Sequence, residues 1–182
     1  MRFTKTLLTT ALLGASVFSF QSTAWAMEQS QLIQVQQLDK QKDFKAILAI
    51  IQPLAEQGDA IAQTLLGTMY LHGQGVKQDD FEAVKWLLQA AEQGDAEAQV
   101  NLGAMYANGH GVKQDYAESV KWVKKAAENG SAAGQFKLGV AYLLGLSVQK
   151  DRALAKEWLG KACDNGDQDG CEYYGKLNRG EL

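Results

Sequence analysis

The sequence repeats itself every 36 residues, and this period constrains the fold more than any other feature. Residues 58–93 and 94–129 are identical at 22 of 36 positions, and residues 94–129 and 130–165 at 14 of 36. Trp86, Trp122 and Trp158 keep the same spacing. Self-similarity at such a period indicates a repeat array, in which each unit packs against its neighbours and not around one central core.

Each repeat predicts a pair of α-helices. In the second full repeat, Ala98, Leu102 and Tyr106 recur with the spacing of one helix face. Residues 109–111 (Gly-His-Gly) interrupt this helix, and Asp115 stands where the N-cap of a second helix is expected. The chain has 18 glycines and a single proline, which also favours helices separated by glycine turns.

Two kinds of glycine recur in the repeat. One kind stands in two-residue links between repeats, such as Gly94 before Asp95, where a left-handed residue ends one helix and an aspartate caps the next. The other kind lies inside the first helix of each pair, where glycine costs about 1 kcal/mol against alanine. We expect the missing side chain to let another helix approach closely, and its tryptophan is the candidate for the contact. The interior glycines are Gly67, Gly103, Gly139 and Gly175.

Residues 1–26 have the pattern of a secretory signal peptide. Arg2 and Lys5 precede an apolar run from Leu7 to Phe20, and Ala24-Trp25-Ala26 ends the segment with an A-x-A cleavage pattern before Met27. The alternative is a membrane anchor, but the run is shorter than the roughly 20 residues that span a bilayer. We therefore predict a periplasmic or secreted mature chain, without stable membrane insertion after cleavage.

The mature chain, residues 27–182, carries 16 basic and 21 acidic residues, a net charge of −5. A nucleic-acid-binding domain normally has a basic excess, so we expect no nucleic-acid partner.

The repeat resembles a known family. The pattern A-x-x-x-L-G-x-M-Y-x-x-G-x-G-V-x-x-D, followed by A-x-x-W and A-A-E-x-G, resembles the Sel1-like repeat. Residues 62–79 and 98–115 carry its first half without departure, and residues 134–151 carry a looser copy with Ala141 for methionine and Ser147 for the second loop glycine. The resemblance implies an all-α fold, a right-handed α/α superhelix of helix pairs related to tetratricopeptide arrays, and a surface that binds other proteins.

The resemblance covers about residues 41–182 and divides the mature chain into units. The N-terminal unit, residues 27–57, is a capping helix pair, and residues 166–182 hold only a first helix. Between them we place three full repeats, residues 58–93, 94–129 and 130–165.

Cys163 and Cys171 flank the last link between helices. The phrase around them, Cys-x7-Cys, resembles the signature of the cysteine-rich branch of the family, which carries such a disulfide between adjacent helices. In an exported chain this resemblance implies a disulfide that staples the last helix, worth about 2.5 kcal/mol for a loop of about eight residues. A free or redox-active pair and a metal site are the alternatives.

The sequence offers little catalytic chemistry. His72 and His110 occupy different repeat positions, and we interpret both as solvated loop residues. Ser147 and Lys150 match the S-x-x-K nucleophile motif of penicillin-binding proteins and β-lactamases, but no S-D-N or K-T-G accompanies them. We therefore predict a non-enzyme without cofactor or metal, and keep a cell-wall-related or β-lactam-binding or -hydrolysing enzyme as an alternative.

Positions that differ between repeats on the first helices are candidates for partner contacts. In related superhelices these helices line the concave groove, and an asparagine such as Asn101 can hold a peptide backbone through its side chain. The candidate groove residues are Thr64, Leu65, Thr68, His72, Val100, Asn101, Ala104, Asn108, Phe136, Lys137, Val140, Leu144 and Tyr173.

These features predict an exported protein-protein interaction module that binds a protein or peptide in its groove. One specific hypothesis is an immunity protein that neutralises a periplasmic toxin. Another is an adaptor in the assembly of envelope proteins.

Overall fold

The computed structural model describes residues 27–182, and the predicted signal peptide lies outside them. Within these residues the chain forms nine α-helices and no strand. The odd-numbered helices are the first helices of the pairs, and the even-numbered ones are the second helices. The helices are α1 (Gln29–Lys40), α2 (Phe44–Glu56), α3 (Ala60–His72), α4 (Asp80–Glu92), α5 (Ala96–Asn108), α6 (Tyr116–Glu128), α7 (Ala132–Leu144), α8 (Arg152–Asp164) and α9 (Gln168–Arg179). None of these described helices is long and apolar enough to cross a membrane.

Side-chain caps fix where the helices of each repeat begin. At the start of α5, Oδ1 of Asp95 accepts the backbone N–H of Ala98 at 2.8 Å. At the start of α6, Oδ1 of Asp115 accepts the N–H groups of Ala117 and Glu118 at 2.9 and 3.0 Å. Such caps are worth about 1 kcal/mol each. The predicted caps are confirmed at Asp95 and Asp115, and Asp59, Ser131 and Asp167 cap their helices in the same way.

Each helix packs against its neighbours in the sequence, and α5 also touches α7. The core is consequently a succession of clusters along the array, from Val35 and Ile47 in the N-terminal unit to Leu177 in α9. This architecture confirms the predicted all-α superhelix of helix pairs. The largest fully buried side chains are Ile51, Leu66, Leu87, Leu102, Met105, Leu138 and Leu159.

Three of the four interior glycines allow close helix approach, as expected, but the tryptophans do not make the contact, and Gly175 meets only Arg179 of its own helix. A Cβ atom at Gly103 would lie 2.8 Å from Cγ2 of Val123 and 3.2 Å from the carbonyl oxygen of Ser119. Gly67 and Gly139 meet Leu87 and Leu159 in the same way. In each repeat the contacting residue follows the tryptophan directly, so the predicted role of the tryptophans in this contact is wrong.

A buried glutamine connects consecutive helix pairs in every full repeat. Gln99 is 2% exposed, and its Nε2 donates to the carbonyl oxygen of Ala91 near the end of the preceding helix at 3.0 Å. Its Oε1 accepts from Nδ2 of Asn129, thirty residues later, at 3.1 Å. Gln63 and Gln135 make the equivalent bonds. These side chains satisfy groups that burial would otherwise leave unpaired.

The C-terminal helix is held by the predicted disulfide. Cys163 at the end of α8 is bonded to Cys171 in α9, with a Cα–Cα distance of 4.4 Å. Only Gly170 and Leu177 of α9 are buried, so the covalent link supplements a small packing interface.

Candidate protein-binding surface

The first helices and the second helices between them enclose two apolar pockets. Five of the thirteen candidate groove residues line them. Leu65 and Thr68 line the first pocket, and Ala104, Lys137 and Val140 line the second.

The N-terminal pocket lies between α1, α2 and α3 and has a volume of about 290 Å³. Its floor is apolar, with Val35 and Ile47 both buried in the core. Asp39 is the one charged side chain among its lining residues. The lining residues are Leu32, Val35, Gln36, Asp39, Phe44, Ile47, Leu65, Thr68, Met69 and Gln74.

The central pocket lies between α5, α6 and α7 and has a volume of about 240 Å³. Lys137 is the one charged side chain among its lining residues. Tyr116 and Leu146 stand at its rim and are 55% and 49% exposed. The lining residues are Gly103, Ala104, Ala107, Tyr116, Ser119, Val120, Val123, Lys137, Val140, Ala141 and Leu146.

The two pockets occupy the same place in two different repeats. Leu65 and Lys137 are 72 residues apart, which is two repeat lengths, and so are Phe44 and Tyr116. The same architecture therefore makes a pocket twice and lines it with different chemistry, acidic at one site and basic at the other. Because the backbone positions correspond, the side chains decide what each pocket can hold.

Three of the other candidate residues pack inside the protein. Thr64 is 3% exposed, and its hydroxyl donates to the carbonyl oxygen of Ala60 and bonds Oδ1 of Asp95. Phe136 and Tyr173 are partly buried and pack edge to face, with ring centroids 5.5 Å apart. Thr64 therefore has no free surface for a partner, and the aromatic pair joins α7 to α9.

The remaining candidates lie at or near the surface. His72 and Asn108 are exposed at the ends of α3 and α5, and Leu144 is 60% exposed at the end of α7. Val100 and Asn101 are partly buried on α5. Within residues 27–182, no protein group is hydrogen-bonded to the Asn101 side chain, so its amide remains free for another ligand.

Sequence reasoning missed the pocket residues outside the first helices. Tyr116 begins a second helix, Leu146 lies in a loop, and Asp39 belongs to the N-terminal unit. A signal for two of them was present, since the repeats place Asp80, Tyr116 and Arg152 at one position, and Gln74, His110 and Leu146 at another. The variation at those positions resembles that on the first helices.

The described residues show no catalytic constellation around the other candidates. Ser147 is exposed and has a positive φ of 52° at the loop position where other repeats have Gly75 and Gly111. Within the described chain, no hydrogen bond joins Ser147 to Lys150. Between Met27 and Leu182, no group of three His, Cys, Asp or Glu side chains is placed to hold a metal ion.

Comparison with known families accounts for the repeat. Residues 60–95, 96–131 and 132–167 each match the sequence model of the Sel1 repeat. The chain belongs to the Sel1 repeat family. Proteins of this family are typically protein-protein interaction scaffolds, and the two pockets lie within this chain's Sel1 repeats and its N-terminal helix pair. No protein with a curated description matches the sequence.

Solved structures of other Sel1 repeat proteins have the same architecture. A Sel1 repeat protein from Oxalobacter formigenes is 32% identical, with a TM-score of 0.75 over 81% of this chain and 59% of that one. A protective antigen of uropathogenic Escherichia coli with an SLR fold is 39% identical, with a TM-score of 0.76 over 84% of this chain. This chain spans only 34% of the length of that antigen. Helicobacter pylori cysteine rich protein B, 24% identical, shares the fold with a TM-score of 0.58 over 72% of this chain and 94% of its own.

Proposed function

We propose that this Sel1 repeat protein is exported and binds an extended segment of a partner protein in a concave groove that its first helices would form. The two corresponding pockets carry the proposal, because an extended chain that follows the array would meet the same kind of apolar cavity at two points. Each pocket would receive one apolar side chain of the partner. The groove would thus recognise a polypeptide through apolar anchors two repeats apart.

The charges beside the pockets give the partner segment a direction. Lys137 would attract an acidic residue next to the anchor in the central pocket, and Asp39 would attract a basic residue next to the other anchor. Such rim charges contribute chiefly to association rate and specificity. Asn101, whose amide has no partner in the described residues, would bind the backbone between them.

A capture experiment tests the groove. Wild-type residues 27–182 and the double variant Asn101→Ala, Lys137→Glu would be used to capture partners from a periplasmic extract, and the captured proteins identified by mass spectrometry. We expect the double variant to lose at least tenfold of the specific partner, because it removes a backbone contact and reverses a rim charge. Unchanged capture would exclude this surface as the binding site.

A pocket-filling variant separates pocket contact from charge. Ala104→Leu places a larger side chain into the central pocket, and we expect it to reduce capture of the same partner. Ala153→Leu on the exposed side of α8 is the matched control, since it makes the same substitution away from both pockets. Equal capture by the two variants contradicts the pocket assignment.

The identity of the partner decides between the two cellular roles. For an immunity protein, the partner is a toxin, and co-expression of this chain with toxins encoded beside its gene should rescue growth. For an envelope-assembly adaptor, the captured proteins are exported envelope components and no toxin is neutralised. The disulfide is compatible with the oxidising compartment that both roles require.

The enzymatic alternative rests on the exposed Ser147 three residues before Lys150. A chromogenic β-lactam assay on the wild type and Ser147→Ala tests it directly. Turnover that disappears in the variant supports the enzyme, whereas no turnover, or equal turnover in both proteins, removes Ser147 as a nucleophile.

A further inference from the structure

The backbone nitrogen of Met27 is held by a buried carboxylate. It donates to Oδ2 of Asp59 at 2.6 Å, across 32 residues of sequence. Asp59 is 5% exposed, and its other oxygen, Oδ1, accepts the N–H of Ala62 at the start of α3, also at 2.6 Å. The Met27 side chain packs against the core of the N-terminal unit. The first described residue is thus fixed by both its side chain and its nitrogen.

The corresponding aspartate of the next repeat shows that this contact is specific to the N-terminal unit. Asp95 also caps its helix with Oδ1, but its second partner is the Thr64 hydroxyl, a neutral donor from the preceding first helix. At Asp59 the second donor is instead the Met27 nitrogen, and it bonds the carboxylate oxygen that does not cap the helix, Oδ2. Among the described residues, no lysine or arginine is within ion-pair distance of Asp59. Beyond the backbone N–H groups at the start of α3, a positive charge on the Met27 nitrogen would compensate its buried negative charge.

We propose that Asp59 is the binding site for the α-ammonium group that signal-peptide cleavage before Met27 would create. The inference rests on the proposed export and on that cleavage position. Cleavage would convert a neutral amide donor into a cation without moving the nitrogen, so a neutral hydrogen bond would become a buried ion pair. Charge-assisted hydrogen bonds are roughly twice as strong as neutral ones. The mature N-terminal unit would therefore be more stable than the same unit in the precursor.

The proposal also restricts where cleavage can occur. A mature chain that begins one residue earlier keeps an amide at Met27, and one that begins at Glu28 lacks the nitrogen altogether. Glu28 is the other charged group beside the amine, and its carboxylate is turned towards the first turn of α1, where it accepts from the Ser30 hydroxyl. Asp59 is thus the carboxylate placed to receive the ammonium group.

The reactivity of the α-amine measures the ion pair. Residues 27–182 would be prepared with Met27 as the free N-terminus. The α-amine would be acylated at pH 7, and the rate of acylation would be measured by mass spectrometry. An adjacent carboxylate raises the pKa of an amine and so lowers the fraction that can react. We expect acylation to be about tenfold slower in the wild type than in Asp59→Asn, equivalent to one pKa unit. Equal rates overturn the proposal.

Asp95→Asn is the matched control, because it removes the carboxylate charge at the equivalent cap of α5 and has no contact with the amine. It should leave the acylation rate of Met27 unchanged. Since Asp59→Asn also removes a negative charge from the N-terminus of α3, a second comparison leaves Asp59 in place. Acetylation of the α-amine should lower the urea midpoint of the wild type but not that of Asp59→Asn. The same loss in both proteins overturns the ion pair.

The cleavage position is tested separately. The full chain would be expressed with its signal peptide, and the mass of the exported protein measured. A mass that corresponds to a chain beginning at Met27 supports the site in the exported protein. A chain that begins at any other residue shows that the exported protein does not use Asp59 to bind its N-terminus, even when the reactivity comparison succeeds. Failure of partner capture would bear on the groove and not on this site.

Discussion

The two ends of the array each have an outer helix with a neighbour on one side only, and they stabilise it with different chemistry. At the N-terminal end, α1 buries Val35, and its interface with α2 carries larger apolar side chains than the same positions in the repeats. Val35 lines the N-terminal pocket at the position that Gly103 occupies in the central pocket. Ile47 lines it at the position that Ser119 occupies in the central pocket. At the C-terminal end, α9 buries little, and the disulfide from Cys163 holds it.

We expect larger apolar side chains and a covalent link to serve as alternatives for closing a repeat array. The N-terminal unit departs from the repeat and carries a larger side chain, Val35, at the position where the second helix of a repeat approaches a glycine. A last helix that keeps the repeat's small residues buries too little apolar surface and needs another constraint. The predictions below test this contrast, from the largest expected effect to the smallest.

Loss of burial should affect the N-terminal end most. Ile51 is fully buried in α2, and Ile51→Ala should reduce the free energy of unfolding by about 2–5 kcal/mol. Leu177→Ala in α9, a slightly more exposed position, should cost less because the disulfide retains the helix. Urea unfolding monitored by circular dichroism measures both. A larger loss for Leu177→Ala would contradict the contrast.

Loss of the disulfide should affect the C-terminal end most. The double variant Cys163→Ser, Cys171→Ser should lose about 2.5 kcal/mol in the chain-entropy treatment of a short loop. Hydrogen exchange should increase in α9 and stay unchanged in α2, since the two helices share no contact in the linear array. Increased exchange in α2 to the same extent would show that the ends are energetically coupled.

Equivalent glycines should respond with opposite sign. At Gly139 a Cβ atom would lie 2.7 Å from Cγ of Leu159 and 3.1 Å from its backbone nitrogen, so Gly139→Ala should destabilise by about 1–3 kcal/mol. At Gly175 the Cβ would meet only the flexible end of Arg179 at 3.2 Å. Gly175→Ala should therefore stabilise by up to about 1 kcal/mol through helix propensity. Thermal unfolding of the two variants measures the difference, and destabilisation by both would contradict it.

The glycines also show how far the sequence alone could lead. Their period predicted a close helix approach, which Gly103 makes to Val123. The sequence did not identify the approaching side chain, because that depends on how the second helix is rotated about its axis. The same rotation brings Tyr116 to the central pocket, where an analysis of the first helices alone could not place it.

Burial at the candidate surface was equally hard to predict. Thr64 varies between repeats like a surface residue, yet it is buried because it bonds Asp95 across 31 residues. That contact depends on the stacking of one unit on the next. Helix positions, caps and the Cys163–Cys171 pairing follow from local pattern or family resemblance, and they could be predicted from the sequence.

The smallest expected effect concerns an exposed ion pair on α9. The hydrogen bond from Lys176 to Glu172, followed by their charge attraction, lowers the pKa of Glu172 and raises that of Lys176 from their ordinary values of 4.5 and 10.5. Any contribution from Glu172 is therefore present above its unfolded pKa and is lost as pH falls through the lower folded value. For Lys176 it is present below the unfolded pKa and is lost as pH rises through the higher folded value.

Lys176→Ala should return the pKa of Glu172 to its ordinary value, measured by NMR titration, while Lys161→Ala on α8 should leave it unchanged. Neither variant should shift the thermal midpoint measurably at neutral pH, because exposed pairs of this kind are screened by water and salt. A clear loss of stability from Lys176→Ala would show that surface charge helps to hold α9. Without such a loss, the disulfide and the limited burial of Leu177 are what close the C-terminal end, as the contrast with the N-terminal unit requires.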